Sequence, residues 1–416
     1  MSYTRREFGK LALAGLPAAA LIGRSESIFG AFAAQAKPNS LINGVQIGTI
    51  TYSYRSMPDQ SAEATLQYIV DSGISAVELM GGPVDSWARA KGNYAPPSGP
   101  PAAGGGRGGG RAGGGAAAPG APGGGGGGRG TPDPATLTAV WNGVPCAPAR
   151  EGGAGGGGGR AAAPAAAPAA GGAAAAAPAA GQAARGGGGG GGRGGAPQTP
   201  EQIADAEYAR KWRQGLSMQI FKDLKKLYND AGVTIYAVKN LSLNASDEDL
   251  EYQLTVAKTL GATHVTAELP GDAAALKRVG DAALKHGLTA AYHTHLQGSM
   301  TVFDEAFAAS KGNFANVDLG HFVAGGNKGG TPMDFLNKFH DRTASFHLKD
   351  RTLPEHCGLN LAWGTGETPI KEILRLVAKN KWKIPASIEL EYTVPQGSDA
   401  VKEVRKCVEY CKQALA

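Results

Sequence analysis

Four short motifs in the last third of the chain contain the residues best suited to chemistry. They occupy positions 292–295 (YHTH), 317–321 (VDLGH), 346–350 (FHLKD) and 388–391 (IELE). Each motif lies in or at the end of a short apolar run of the kind that forms a buried strand. Imidazole and carboxylate side chains together bind divalent transition metals such as Mn, Co, Zn or Fe. The motifs therefore predict a metal site.

Alternation along a strand decides which of these side chains share a face. Residues two apart point to the same side, so His293 faces the same way as His295, and Glu389 the same way as Glu391. Four successive strands then bring one candidate ligand each to the same end of the sheet: His293, Asp318, His347 and Glu389. Enclosing these carboxylates and imidazoles together without a cation would be costly in desolvation and repulsion.

The elements that must position these motifs alternate between strand-like and helix-like segments. Runs rich in Val, Ile and Thr predict strands at 45–53, 76–80, 234–238, 264–269, 289–295, 316–318, 344–348 and 386–391. Helical periodicity predicts helices at 62–72, 201–231, 247–260, 273–286, 302–311, 333–340, 369–380 and 399–415. This alternation predicts an α/β fold, a (β/α)8 TIM barrel. An open doubly wound sheet is the alternative, but no Gly-x-Gly-x-x-Gly turn follows the first strand.

A long Gly/Ala/Pro-rich insertion interrupts the predicted barrel. The chain has 416 residues with 65 Gly and 25 Pro, and over half of the glycines fall within 96–197. Such a composition buries too little apolar surface to offset the entropy of ordering it, so we expect this segment to be disordered. Its position predicts that it lies in the second βα loop, between barrel segments 44–95 and 198–416. A less repetitive island, 131–150, is either a lid or sequence drift, and we favour drift.

The net charge of +6 has its source outside the predicted barrel. The first 36 residues contribute +2 and the insertion contributes +5, which leaves the remainder at −1. A nearly neutral barrel has no basic surface for DNA or RNA, so we expect no nucleic-acid partner.

The N-terminus predicts export by the twin-arginine (Tat) translocon. Residues 4–10 read TRREFGK, an apolar segment follows at 11–23, and small residues at 31–36 offer A-x-A cleavage sites. We therefore expect a signal peptide at 1–36 and a periplasmic or extracytoplasmic mature protein without a membrane span. The four cysteines are expected to remain buried or unpaired thiols, because their spacing favours neither a disulfide nor a zinc site.

The chain resembles the sugar phosphate isomerase/epimerase family in four motifs. The most specific are Asp-x-Gly-His and His-x-Lys-Asp, and the other two are Tyr-His-x-His and Ile-Glu-Leu-Glu. These xylose-isomerase-like TIM barrels include D-tagatose 3-epimerases, inosose dehydratases and, more distantly, endonuclease IV. The resemblance implies that His293, Asp318, His347 and Glu389 bind the metal. His293 departs from the family pattern, because the epimerases have a Glu there that also serves as an acid/base group. This departure favours the dehydratase-like branch.

The resemblance implies a divalent-metal-dependent enzyme acting on a small carbohydrate through an enediolate next to a carbonyl, and the twin-arginine sequence adds the expectation that it is exported. The activity would be that of a sugar isomerase or epimerase, or of a dehydratase or lyase. The acid/base candidates are Glu389, Glu391, His295 and Lys349. The candidates for substrate contact are His321, Glu78, Lys239 and Trp363, of which the last three are equally well interpreted as structural.

Two alternatives to a sugar enzyme remain open at this point. One is a non-catalytic sugar-binding barrel, tethered by the Gly/Ala/Pro segment. The other is an endonuclease-IV-like phosphodiesterase, which would need three zinc ions and more histidines on the early strands, where the chain offers only Glu78 and Glu268.

Overall fold

The computed structural model describes residues 37–97, 139–141, 144–146 and 199–416. The predicted signal peptide, 1–36, and most of the predicted disordered insertion, 96–197, lie outside the described residues.

Eight parallel strands close into a barrel. In chain order they are β1 (Val45–Ile50), β2 (Ala76–Met80), β3 (Thr234–Lys239), β4 (His264–Glu268), β5 (Thr289–His293), β6 (Asn313–Asp318), β7 (Thr343–Leu348) and β8 (Ala386–Ile388). Each strand pairs with its neighbours in sequence, and β8 pairs with β1 to close the ring. The predicted (β/α)8 barrel is therefore confirmed, and the open doubly wound sheet is excluded.

Eleven α-helices connect or follow the strands in the described part of the chain. They are α1 (Ala62–Asp71), α2 (Gly81–Lys91), α3 (Pro200–Gln214), α4 (Gln219–Asp230), α5 (Asp247–Leu260), α6 (Ala273–Lys285), α7 (Asp304–Ala309), α8 (Leu319–Ala324), α9 (Pro332–Phe339), α10 (Ile370–Asn380) and α11 (Ala400–Leu415).

The connection from β2 to β3 differs from the prediction. Helix α2 follows β2 directly, so the insertion begins after this helix and not in a loop directly behind the strand. The Gly-Gly-Pro start of α2 resembles a turn, but the first helical turn tolerates Pro because its N–H groups have no partner within the helix. The single helix predicted at 201–231 is wrong as well, because α3 ends at Gln214 and α4 begins at Gln219.

The two faces of the barrel sheet have different surroundings. On the outer face, buried side chains of the strands and helices form one large apolar core. Inside the barrel, Tyr236 fills the space beside Gly48, where a Cβ would lie 2.7 Å from the Tyr236 ring. Also inside the barrel, a chain of hydrogen bonds connects His264, Ser345, Asn316 and Glu78.

Within the island 131–150, the strands Ala139–Trp141 and Val144–Cys146 pair antiparallel. One cysteine differs from expectation. The expectation of unpaired thiols is wrong for Cys357, which is disulfide-bonded, and right for the buried Cys407 and Cys411. Among the residues described, no helix combines the length and apolar character needed to cross a membrane.

Candidate functional site

The four predicted metal ligands converge at the carboxyl end of the barrel. His293 and Asp318 are the last residues of β5 and β6, His347 lies in β7, and Glu389 directly follows β8. One ligand atom from each of the four lies within 4.8 Å of the other three. All four side chains are buried, so the parallel strands produce a compact donor set.

His347 is oriented by a carboxylate beneath it. Its Nε2 atom lies 2.7 Å from Glu78 Oε2, and its Nδ1 atom lies 2.9 Å from Glu389 Oε2. Thr266 and Asn316 donate to the other Glu78 oxygen at 2.6 and 3.4 Å. A carboxylate that accepts one imidazole N–H directs the opposite nitrogen, here Nδ1, toward a metal.

Asp318 and His293 each present a buried atom without a hydrogen-bond partner. Asp318 Oδ1 accepts from His321 N at 2.7 Å and so caps α8, whereas Asp318 Oδ2 accepts no aligned hydrogen bond from the described residues and has the Lys349 ammonium 3.0 Å away. His293 Nδ1 is also buried without a partner among the described residues. A buried nitrogen such as His293 Nδ1 is costly to leave unpaired unless another group, such as a cation, binds it.

Lys349 lies among the carboxylates. Its ammonium group is 3.0 Å from Asp318 Oδ2, 2.9 Å from Glu389 Oε2 and 2.6 Å from Glu391 Oε2. A metal cation would compete with Lys349 for Asp318 and Glu389, and the Glu391 ion pair would then retain the ammonium group at the site. Lys349 therefore offsets part of the negative charge of the three carboxylates. It does not contact His293 Nδ1, which stays free to bind a metal.

Burial and neighbouring charges shift the protonation of the ligands. Burial alone would lower the pKa of His347, but Glu78 and Glu389 outweigh it and raise that pKa to about 10. Burial opposes ionisation of Glu389, yet Lys349 and His347 hold its pKa well below its ordinary value. Burial raises the pKa of Asp318 to about 6 and lowers the pKa of His293 well below its ordinary value. His347 is thus the ligand from which a metal must displace a proton.

The geometry fits one divalent cation. Atoms bound at about 2.1 Å to a common ion lie about 3.0 to 4.2 Å apart. His347 Nδ1 lies 2.9 Å from Glu389 Oε2 and 4.0 Å from Asp318 Oδ2. Together with the unpartnered His293 Nδ1, these separations make the four residues a suitable metal-binding set.

Three polar residues border one side of the donor set. His295 is 40% exposed, and its ring centroid lies 5.0 Å from that of His293. Its Nδ1 atom faces Glu268 Oε2 at 3.6 Å, and Lys239 holds the other Glu268 oxygen at 2.8 Å. The structure thus brings His295 and Lys239 to the mouth of the barrel, together with Glu268.

His321 and Glu391 lie at the same mouth, beside Lys349. His321 Nε2 is 3.8 Å from Glu391 Oε2, and its ring lies 4.9 Å from the ring of His295. Nδ1 of His321 accepts a hydrogen bond from the buried Arg351 at 2.5 Å. Because His293, His295 and His321 also bring one nitrogen each within 4.8 Å of one another, they form a second group of possible ligands.

Two candidates for substrate contact lie elsewhere. Glu78 has no exposed surface and lies beneath His347, so its carboxylate has no open route to a substrate. Trp363 packs edge-on against Tyr410 of α11, with ring centroids 5.9 Å apart, and among the described residues it makes no hydrogen bond or ring contact with the donor set. Its loop is held by Asp350, which accepts hydrogen bonds from Gly364 N and Gly366 N.

Sequence reasoning missed Arg351, Tyr52 and Arg55. Arg351 follows the FHLKD motif directly, and that adjacency was the available signal. Tyr52 lies in the short 3-10 helix Thr51–Tyr54 after β1, where burial raises the pKa of its phenol and Glu391 adds to the rise. The Arg55 guanidinium stacks 4.3 Å from the Tyr52 ring and donates to Leu390 O.

The fold and this donor set define the class of protein: a (β/α)8 barrel with a histidine–carboxylate centre where its strands end. No protein-family model matches the chain, and no curated protein matches it.

Similar solved structures are described as sugar phosphate isomerase/epimerase and xylose-isomerase-like proteins. A sugar phosphate isomerase/epimerase from Parabacteroides distasonis is 13% identical, with a TM-score of 0.44 over 91% of this chain and 96% of that chain. A D-psicose 3-epimerase is 11% identical, with a TM-score of 0.38 over 50% of this chain and 87% of its own. A 3-keto-D-glucoside 4-epimerase from E. coli is 11% identical, with a TM-score of 0.35 over 53% and 97%. At such low similarity, the substrates and reactions of these proteins do not transfer to this chain.

Proposed function

We propose that this protein is an exported, divalent-metal-dependent enzyme that acts on a sugar beside a carbonyl group. It would isomerise or epimerise the sugar, or eliminate a group from it. The observation that carries the proposal is the convergence of His293, Asp318, His347 and Glu389, whose ligand atoms lie within 4.8 Å of one another.

The four ligands would hold the cation, and the groups above them would move protons. When bound, a divalent cation supplies Lewis-acid chemistry, which makes the C–H bond beside a coordinated carbonyl more acidic. Glu391 and His295 have partly exposed side chains close to the donor set, so each is suited to accept and return a substrate proton. Lys349, 2.6 Å from Glu391, orients that carboxylate.

The fate of the proton separates the possible reactions. Return to the other face of the same carbon gives an epimer, and return to the neighbouring carbon gives an isomer. Loss of a β-hydroxyl or glycosyl group gives an elimination product. All three begin with the same proton removal, so one measurement tests them together.

Deuterium exchange from solvent tests the proposal. The full-length mature protein, loaded with Mn²⁺, is incubated in D₂O with a panel of keto-sugars and 3-keto-glycosides. We expect deuterium at a carbon next to the carbonyl of at least one sugar, detected by NMR and mass spectrometry. Absence of exchange in the whole panel would contradict the proposal, and sugar binding without exchange would indicate a non-catalytic sugar-binding barrel.

Asp318→Asn tests the metal requirement with little change to the backbone. An Asn side chain retains the oxygen that caps α8 but removes the charge facing the cation. Replacing groups that only support a ligand already lowers metal affinity about 10- to 100-fold, so loss of a ligand charge should lower it by at least about a hundredfold. Calorimetric titration with Mn²⁺ measures this affinity.

Asp272→Asn is the matched control for Asp318→Asn. Asp272 caps α6 by accepting from Ala274 N at 2.9 Å and is exposed, away from the donor set. We expect this variant to bind Mn²⁺ like the wild type. Equal losses of affinity in both variants would show that capping, and not ligation, explains the effect.

Export by the twin-arginine route is the second part of the proposal, and the TRREFGK sequence at 4–10 supports it. Replacing Arg5 and Arg6 together by Lys should leave the protein in the cytoplasm, whereas Lys10→Arg should not. Cell fractionation measures both, and a periplasmic double variant would contradict export by this route.

A further inference from the structure

The three histidines at the barrel mouth allow two interpretations. His293, His295 and His321 bring one nitrogen each within 4.8 Å, which would suit a second metal ion. Alternatively, His321 serves as a hydrogen-bond donor and only His293 binds metal. The two interpretations require opposite states of His321 Nε2, because a ligand nitrogen must carry a lone pair and a donor nitrogen must carry a hydrogen.

The contact with Arg351 distinguishes these states. A guanidinium group has only donors, so His321 Nδ1, at 2.5 Å from Arg351 Nη1, must be the acceptor. An imidazole whose Nδ1 accepts a hydrogen bond carries its single hydrogen on Nε2. His321 is therefore neutral, with Nε2–H as its donor.

The other contacts of His321 agree with that tautomer. Nε2 faces the Glu391 carboxylate at 3.8 Å, a group that attracts an N–H and would repel a lone pair. The backbone N–H of His321 is bound by Asp318 in the first turn of α8, so the imidazole is held from both ends. His321 as a whole residue is 8% exposed, so its imidazole is largely shielded from water.

Arg351 is itself held rigidly. The two-residue strands Asp350–Arg351 and Asn360–Leu361 pair antiparallel just after β7, and the Arg351 guanidinium also donates to Gly358 O within this hairpin. The neighbouring Cys357 is disulfide-bonded, which further restrains the hairpin. Because Arg351 is only 5% exposed, water has little access to replace its hydrogen bond to His321.

We propose that Arg351 is a positioning residue that locks His321 in the Nε2–H tautomer. Nε2–H then donates to a substrate oxygen, and His321 does not bind a second metal ion. The part concerning substrate rests on the proposed function, whereas the tautomer and the metal count do not.

Two-bond ¹⁵N–¹H NMR correlations read the tautomer without any substrate. The protein is labelled with ¹⁵N-histidine, and the His321 signals are assigned by their loss in His321→Gln. We expect a protonated Nε2 and an unprotonated Nδ1, both in metal-free protein and after addition of excess Zn²⁺. A protonated Nδ1, or a His321 nitrogen that loses its hydrogen to Zn²⁺, would overturn the proposal.

The number of Zn²⁺ ions bound per protein tests the same proposal independently of NMR. Zn²⁺ titration should find one site in the wild type and one in His321→Gln. Two sites in the wild type, one of them lost in His321→Gln, would instead establish the three histidines as a second metal site.

The variants Arg351→Met and Arg351→Lys show whether Arg351 fixes the tautomer of His321 or only supports the fold. Arg351→Met should give a mixture of His321 tautomers and lower kcat about tenfold to a hundredfold, which is less than the loss of a whole oxyanion donor. Arg351→Lys can still donate to Nδ1 but cannot also reach Gly358 O, so it should restore the tautomer and part of the rate. Failure of Lys to restore the tautomer in a folded variant would contradict the assignment.

Arg342→Met is the matched control. Arg342 precedes β7, as Arg351 follows it, and donates to Ser310 O and Asn313 O at the opposite end of the strand. This variant should lose stability but retain the His321 tautomer and kcat. If Arg342→Met shifts the tautomer as much as Arg351→Met does, Arg351 acts only through general stability.

Discussion

The outer and inner faces of the barrel sheet contain opposite kinds of side chain. Outside, strands and helices bury a continuous apolar core that includes Phe221 and Leu254. Inside, a polar column leads from His264 through Ser345 and Asn316 to Glu78 and thence to His347. We call the outer apolar core the shell and the inner hydrogen-bonded chain the column. The shell is stabilised by the burial of apolar surface, whereas the column is stable only if each buried donor has an acceptor.

Because the two faces differ in this way, residues on the outer face mainly determine stability, and residues on the inner face also determine metal binding. A shell residue contributes in proportion to the apolar surface it buries, whatever its neighbours do chemically. A column residue also sets the orientation and charge of the next group toward the metal ligands. Substitutions in the shell should therefore change unfolding alone, and substitutions in the column should change both unfolding and metal binding.

Phe221→Ala should give the largest loss of stability. Phe221 of α4 is fully buried, and its ring meets that of Tyr252 of α5 edge-on, with centroids 6.4 Å apart. Removing such a side chain costs about 3 to 5 kcal/mol of unfolding free energy. Urea unfolding measures this cost, and Mn²⁺ affinity of the folded variant should equal that of the wild type. A weakened Mn²⁺ affinity would show that shell and column are coupled.

The shell and the convergence of ligands were predictable from sequence because both follow from local periodicity. Each predicted strand overlaps an observed one. His295 lies two residues beyond the end of β5, and its ring is nevertheless 5.0 Å from that of His293, on the side that alternation predicted. The start of α2 was missed because Gly81 and Pro83 have low intrinsic helix propensity, which its packing overrides.

Protonation of His264 should give the next largest effect, visible as a dependence of stability on pH. Burial lowers the pKa of His264 to about 4 from an ordinary value near 6.5. The unfolded chain therefore binds a proton first, and stability present above pH 6.5 is lost as the pH falls toward 4. Between pH 7.5 and 4.5 this single group contributes about 2.5 kcal/mol of loss.

His264→Gln isolates that contribution, because all other titrating groups remain. Urea unfolding of both proteins at pH 7.5 and 4.5 should show a smaller loss in the variant, by about 2.5 kcal/mol. An equal loss in the two proteins would mean that His264 is protonated in the folded state as readily as in the unfolded one.

Glu78→Gln tests the end of the column nearest the ligands. The variant retains the shape of the side chain but loses the charge that orients His347. Carboxylates in this role contribute about 10- to 100-fold to metal affinity, which corresponds to about 1.4 to 2.7 kcal/mol. Mn²⁺ titration measures the change. Unaltered affinity would restrict Glu78 to a structural role.

The contacts of Glu78, Lys349 and Arg351 could not be predicted from sequence. Glu78 meets His347 across 269 positions of the chain, and that pairing depends on closure of the barrel. Lys349 was recognisable as polar, but its three carboxylate partners, Asp318, Glu389 and Glu391, come from two other motifs. Local periodicity places a side chain on a face, whereas long-range packing decides which group it meets.

Tyr236→Phe should have the smallest effect and the opposite sign. The Tyr236 hydroxyl is buried inside the barrel near the Ser387 hydroxyl, but neither group makes a well-aligned hydrogen bond with the described residues. Removing an unpaired hydroxyl relieves a desolvation cost, so we expect a gain of up to about 1 kcal/mol in unfolding free energy.

Ser345→Ala is the matched counterpart, because its hydroxyl is paired twice. Ser345 Oγ lies 2.9 Å from His264 Nε2 and donates to Asn316 Oδ1 at 2.9 Å. Its removal leaves those two buried atoms unsatisfied, at a cost of about 1 to 3 kcal/mol. If Tyr236→Phe proves as destabilising as Ser345→Ala, water or another group must pair the Tyr236 hydroxyl. The polar column would then extend to the opposite wall of the barrel, beside Gly48.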